Sequence, residues 1–181
     1  MTSASPGTDR DCCAIPGGVS VPSVFDGLFL ASTVAAVSSA LRHGELDPIK
    51  PVCVVGDLRL ARALGDRGHK IVIVAADARG LRRLAKRNRG KSPGLQASPD
   101  ALPIRDRSLA ALVGIGAASR ERGDATVLAW SRGVVDGGAV ILVDKADPAD
   151  AARVALCAGL TEIEQLAAGR GVVTSGVVTP Y

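Results

Sequence analysis

Aromatic side chains are scarce in this chain: two Phe, one Tyr and one Trp, together 2% of 181 residues. That scarcity excludes a platform for stacking unpaired bases, which needs several exposed rings, and it leaves Val, Leu, Ile and Ala to build the core. Histidine is equally rare, with two residues. His43 falls near a predicted helix end and His69 at a strand entrance, where packing accounts for it better than acid–base chemistry. Four cysteines do not make a disulfide framework in a chain of this length. Cys53 falls in a predicted buried strand and Cys157 in a predicted helix, and both read as small buried hydrophobes. Cys12 and Cys13 are adjacent and lack a second pair at ligand spacing, so no metal site is expected. Ser108 and Ser131 have no nucleophile elbow around them, and nothing marks a Ser-His-Asp triad.

Long apolar runs are missing as well. The stretch 27–37 is too short and too near Asp26 to span a bilayer, and no basic segment leads an apolar one to a cleavage site. The cytoplasm is the expected location. A formal charge of +4 and a pI near 9.1 allow a polyanionic partner without demanding one.

What is present is aliphatic. A hydrophobic content of 47% over this length suffices for one domain with a sizeable core. Residues 1–20, rich in Ser, Pro, Gly and Thr without periodicity, are expected to form a flexible tail. The domain is expected over 21–181, with its core over 50–181 and an added N-terminal helix.

The organising stretch is 51–77, PVCVVGDLRLARALGDRGHKIVIVAAD. Two continuous apolar runs suit strands covered on both faces of a parallel sheet. Between them lie a tight turn at Gly56, where Asp57 can cap, and a helix over 58–66; the second strand is placed at 71–75. This is a βαβ unit, whose first strand ends at the crevice where nucleotide-like ligands sit.

Upstream, Ser23 or Asp26 can cap a helix that runs to Leu41 and ends at Gly44. Phe25 and Phe29 begin its apolar stripe, which is read as core packing or, alternatively, as a partner-binding face. Downstream comes ARGLRRLAKRNRGK, where Leu81, Leu84 and Ala85 mark the packing face. Arg79, Arg82, Arg83 and Lys86 share the opposite face, followed by Arg87, Arg89 and Lys91. This basic segment is read either as a solvated outer face or as a docking patch for an acidic protein, a phosphate or nucleic acid. No groove-reading motif accompanies it, so nucleic acid is the less expected partner.

After a loop-like stretch over 92–99, the chain continues through a strand at 110–115 and a helix carrying Trp130. That helix is expected to stop at a turn formed by Asp136, Gly137 and Gly138. A buried strand at 139–144 follows, then a helix capped by Asp147 or Asp150, then two short strands around a Gly-rich turn.

Three stretches carry a family resemblance: ASPDALPIRDRSLAALV, TVLAWSRGVVDGGAVILVD and the closing AGLTEIEQLAAGRGVVTSGVVT. From about residue 50 onward the chain resembles class I S-adenosylmethionine-dependent methyltransferases, of the type 11-like kind. The resemblance implies an α/β, doubly wound, Rossmann-like sheet, mostly parallel with helices on both faces and an antiparallel last strand. It further implies a cofactor site at Gly56, Asp57 and Leu58, at Asp77 for the ribose, and at Asp100, Ala101 and Leu102 for the adenine.

Aligned on Gly56, the family's three closely spaced glycines correspond to Gly56, Leu58 and Leu60 and its strand acid to Val54; aligned on Gly68 and His69, the glycine loop is about two residues shorter and Ala75 takes the ribose position in place of Asp77. A degenerate glycine motif of this kind implies a methyltransferase-like protein that no longer binds S-adenosylmethionine in the usual way. Such a protein would have no catalytic residues and no cofactor, and would act as an interaction or regulatory module. Its surfaces would be Phe25 and Phe29 together with Arg79, Arg82, Arg83, Lys86 and Arg87, its partner a protein, and oligomerisation is allowed. The alternative is an active S-adenosylmethionine-dependent enzyme acting on a small molecule or a protein. A polyanion binder using only the basic segment comes third. The run 52–83 also resembles a nicotinamide-dinucleotide unit, although its G-x-G-x-x-G spacing is absent.

Overall fold

The computed structural model describes residues 27–44, 46–82 and 92–180; of Phe29, within its first helix, only the backbone is described. The elements in order are α1 (Gly27–His43), β1 (Val52–Val55), α2 (Leu58–Gly65), β2 (Ile71–Ala75), β3 (Gly94–Gln96), β4 (Leu109–Ile115), α3 (Gly123–Gly133), β5 (Val134–Asp144), α4 (Pro148–Cys157), β6 (Leu160–Ala168) and β7 (Gly171–Val178). A helical segment also starts at residue 78 and is described as far as 82.

The seven strands form one sheet in the order β3-β2-β1-β4-β5-β7-β6. β1 pairs in parallel with β2 and β4, β2 with β3, and β4 with β5. β7 runs antiparallel between β5 and β6. The strand order reverses at β1, which places the open crevice at the carboxyl ends of β1, β2 and β4.

Strand alternation sorts the core into two layers. Val52 and Val54 of β1 join Ile73, Val113 and Ile141 against α1 and α2, through Val37, Leu41, Leu60 and Leu64. Cys53 and Val55 face the other way with Leu112, Val140 and Leu142, against Val127 and Trp130 of α3 and Val154 and Ala155 of α4. Successive side chains of one strand thus enter opposite layers, which explains why the central strands are apolar throughout.

Several expectations are corrected. The stretch 92–99 is not all loop: Gly94–Gln96 pairs with β2 at the sheet edge, where backbone hydrogen bonding suffices without an apolar run. α3 stops at Gly133, and Asp136-Gly137-Gly138 is no turn but an irregularity inside β5. The β4–β5 ladder there jumps from Leu109↔Val134 to Ala111↔Ala139. The last two strands are nine and eight residues long rather than short. Cys157 is exposed, because α4 buries Ala151, Val154 and Ala155, a spacing that turns position 157 outward. Cys53 is buried, and burial pushes its thiol pKa up to about 12, which leaves it inert. Cys12, Cys13, Phe25, Arg83, Lys86, Arg87, Arg89 and Lys91 lie outside the described residues.

Candidate functional site

β1 passes into α2 through two residues. Gly56 lies at the carboxyl end of β1, exposed, with φ +98° and its N–H donated to Val74 O. That backbone conformation favours glycine. Asp57 follows with extended geometry and is the N-cap of α2: its carboxylate accepts from the N–H of Arg59 at 2.6 Å and of Leu60 at 3.1 Å. The helix N-terminus is therefore occupied by the chain's own carboxylate rather than left open to an anion. Leu58 is the first helical residue and packs on the core, and Leu60 is completely buried within it.

At the neighbouring strand, β2 ends at Ala75, and the exposed Asp77 stands two residues beyond it. Asp77 Oδ1 accepts from the N–H of Gly80, so this carboxylate also caps a helical start. The strand end proper belongs to the buried Ala75, with Asp77 further along the chain. Gly56 and Asp77 thus share the carboxyl ends of adjacent strands. Arg79 and Arg82 are both exposed, and Leu81 packs toward the α1/α2 layer, as its position in the basic segment predicts.

Asp100 is held on the α3 side. Its Oδ1 accepts from Thr126 Oγ1 at 2.8 Å and pairs with Arg120 Nη1 at 3.4 Å. Trp130 Nε1 donates to Pro99 O at 2.7 Å and ties the same loop to α3. Ala101 is exposed, and Leu102 packs against the α3/α4 layer.

Sequence reasoning passed over Asp144, Ser119 and Arg120. Asp144 ends β5 and is buried, with Oδ1 accepting from the N–H of Ser119 at 3.3 Å and its hydroxyl at 3.2 Å. Burial raises its carboxyl above the usual range, against the lowering effects of N–H groups of Ala118 and Ser119, the Ser119 hydroxyl and the Arg120 charge. A lone acid ending the apolar run AVILV was the signal available. His69 is half-buried at the entrance of β2, and burial, reinforced by Arg67, lowers its pKa, which keeps it neutral. No cluster of metal-ligating side chains occurs among the described residues, and none of their helices is long and apolar enough to cross a membrane.

No protein-family model matches the sequence, and no curated protein matches it. Solved structures do match in shape. A complex between the Haloferax volcanii Trm112 methyltransferase activator and a methyltransferase contains a chain with TM-score 0.66 and 14% identity, covering 87% of this chain and 100% of that one. A Thermotoga maritima S-adenosylmethionine-dependent methyltransferase, described as a possible histamine N-methyltransferase, aligns with TM-score 0.63 and 15% identity, over 84% of this chain and 92% of that one. Geranyl diphosphate C-methyltransferase from Streptomyces coelicolor A3(2), solved with S-adenosyl-L-homocysteine, aligns with TM-score 0.66 and 11% identity, over 82% and 78%. Strand order, the antiparallel β7 and these likenesses agree that the chain has the Rossmann-like fold of class I S-adenosylmethionine-dependent methyltransferases.

Proposed function

We propose that this chain is a methyltransferase-like protein that does not hold S-adenosylmethionine in the family's usual way and acts through its surfaces, as an interaction or regulatory module. The observation that carries this reading is the Asp57 cap directly after Gly56. A glycine-rich loop lets a ligand approach the backbone and leaves the helix N–H groups free. Here the connection is two residues long, and the helix N–H groups of Arg59 and Leu60 bond to the Asp57 carboxylate. Leu60 cannot play the role of a loop glycine, because its side chain is core. The ribose and adenine positions support the same reading: Asp77 spends an oxygen on its own cap, and Asp100 spends one on Thr126 and Arg120. The residues present therefore do not fit the cofactor as the family holds it.

The surface assigned to a partner is the basic segment that opens with exposed Arg79 and Arg82 and continues in sequence through Arg83, Lys86 and Arg87. Its charge suits an acidic protein better than nucleic acid, since no groove-reading element accompanies it. The chain of similar fold found with the Trm112 activator is a precedent for a protein partner on this scaffold. The second surface proposed is the apolar pair Phe25 and Phe29, assigned from the sequence.

A second reading, an active methyltransferase with an atypical loop, is favoured by exposed Gly56 beside exposed Asp77 at adjacent strand ends. Amide resonances of isotopically labelled protein, followed during addition of S-adenosylmethionine to millimolar concentration, separate the two. The proposal expects Gly56, Asp77 and Asp100 to stay in place. Saturable shifts at all three support the enzyme.

A further inference from the structure

Asp144 places a carboxylate directly after the apolar run 139–143 of β5, with only 1% of the residue exposed. Ser119 satisfies Oδ1, whereas Oδ2 is buried without a hydrogen-bond partner. The next residue, Arg120, pairs with Asp100, whose side chain is 60% exposed. Two consecutive residues of the β4–α3 connection are therefore tied to two different carboxylates, one buried and one near solvent. The positive field of Arg120 reaches both. On the other side of Asp144, β7 offers Val172 as its strand partner, and the adjoining Lys145 is exposed.

We propose that the β4–α3 connection is a two-position latch, in which Arg120 pairs with Asp100 while the Asp144 carboxyl is neutral and turns onto the buried Oδ2 once that carboxyl ionises, leaving Asp100 to Thr126 alone. A buried charge with one unsatisfied oxygen costs far more than an exposed ion pair gains, so ionisation pulls the nearest cation inward. The proton goes to solvent and no covalent bond changes. Because Trp130 bonds to Pro99, the residue next to Asp100, loss of that ion pair also loosens the loop over α3. The latch does not depend on whether a cofactor is held.

The test uses the whole protein and its single tryptophan. Trp130 emission and hydrogen exchange over residues 98–102 are followed between about pH 4 and about pH 9, a span that brackets a carboxyl raised from its ordinary value. One coincident transition in both signals, above the ordinary carboxylate range, is expected. It should vanish in Asp144→Asn, which keeps an oxygen for Ser119 but cannot ionise. In Arg120→Gln the loop should exchange fast at every pH. No transition in the wild type, or one that survives Asp144→Asn, overturns the latch. If Asp144→Asn does not fold, Arg120→Gln decides: pH-independent fast exchange supports the latch, and a wild-type transition contradicts it.

Discussion

The six-membered ring of Trp130 fills the space that a Cβ on Gly114 would occupy, so the single tryptophan packs directly on the backbone of β4. The pair joins the sheet to α3, and through Trp130 Nε1 it also anchors the loop at Pro99. Gly114→Ala should therefore overpack the site and cost about 1–3 kcal/mol. Trp130→Ala should cost about 3–5 kcal/mol through the cavity it leaves. Because each change relieves the other, chemical denaturation of the double variant should show a loss well below the sum of the two.

Asp57 makes a second prediction. As the cap of α2, Asp57→Ala should lose about 1 kcal/mol of stability, whereas Asp57→Asn should lose little, since Asn also accepts from the N–H groups. Urea midpoints measure both. Equal losses would mean that the carboxylate matters for something other than the cap.

Asp144 predicts the pH dependence of stability. Its folded-state pKa lies above the ordinary value of 3.8, so the native state holds the proton more tightly than the unfolded chain. The resulting stability is fully present below that ordinary value and is lost as pH rises through the raised folded-state pKa. Thermal midpoints measured across this window should fall with rising pH in the wild type, and this component should disappear in Asp144→Asn.

Arg82 is exposed on the helical segment that follows β2, and Arg83 and Lys86 follow it in the chain. Reversing all three to Glu should abolish recovery of an acidic partner while moving the melting temperature little, because exposed charges contribute little to stability. Unchanged recovery would remove this surface from the account.

The central strands were legible because burial on both faces writes continuous apolar runs, and Gly56 punctuates the end of the first. β1, β2 and β4 accordingly fall within a residue of their expected places. β3 was not legible, since a three-residue edge strand is made by backbone pairing to β2 and leaves no side-chain pattern. Cys157 misled because residue type says less about burial than position on the helix face. The glycine loop allowed two alignments in the sequence, while the two-residue connection itself was legible from the turn glycine and the cap, and α2 starts at Leu58 as expected. Asp144 was visible as a letter but not as a group, because its significance comes from Ser119 and Arg120, distant in sequence and brought over it by the β4–α3 connection.

The most direct test of the central claim is calorimetric titration of the purified protein with S-adenosylmethionine and, separately, with S-adenosylhomocysteine. The account predicts no binding heat and no thermal shift at millimolar ligand. Saturable binding of about −8 kcal/mol, micromolar strength, would contradict it, and would mean that the two-residue connection at Gly56 and Asp57 holds the cofactor by another route.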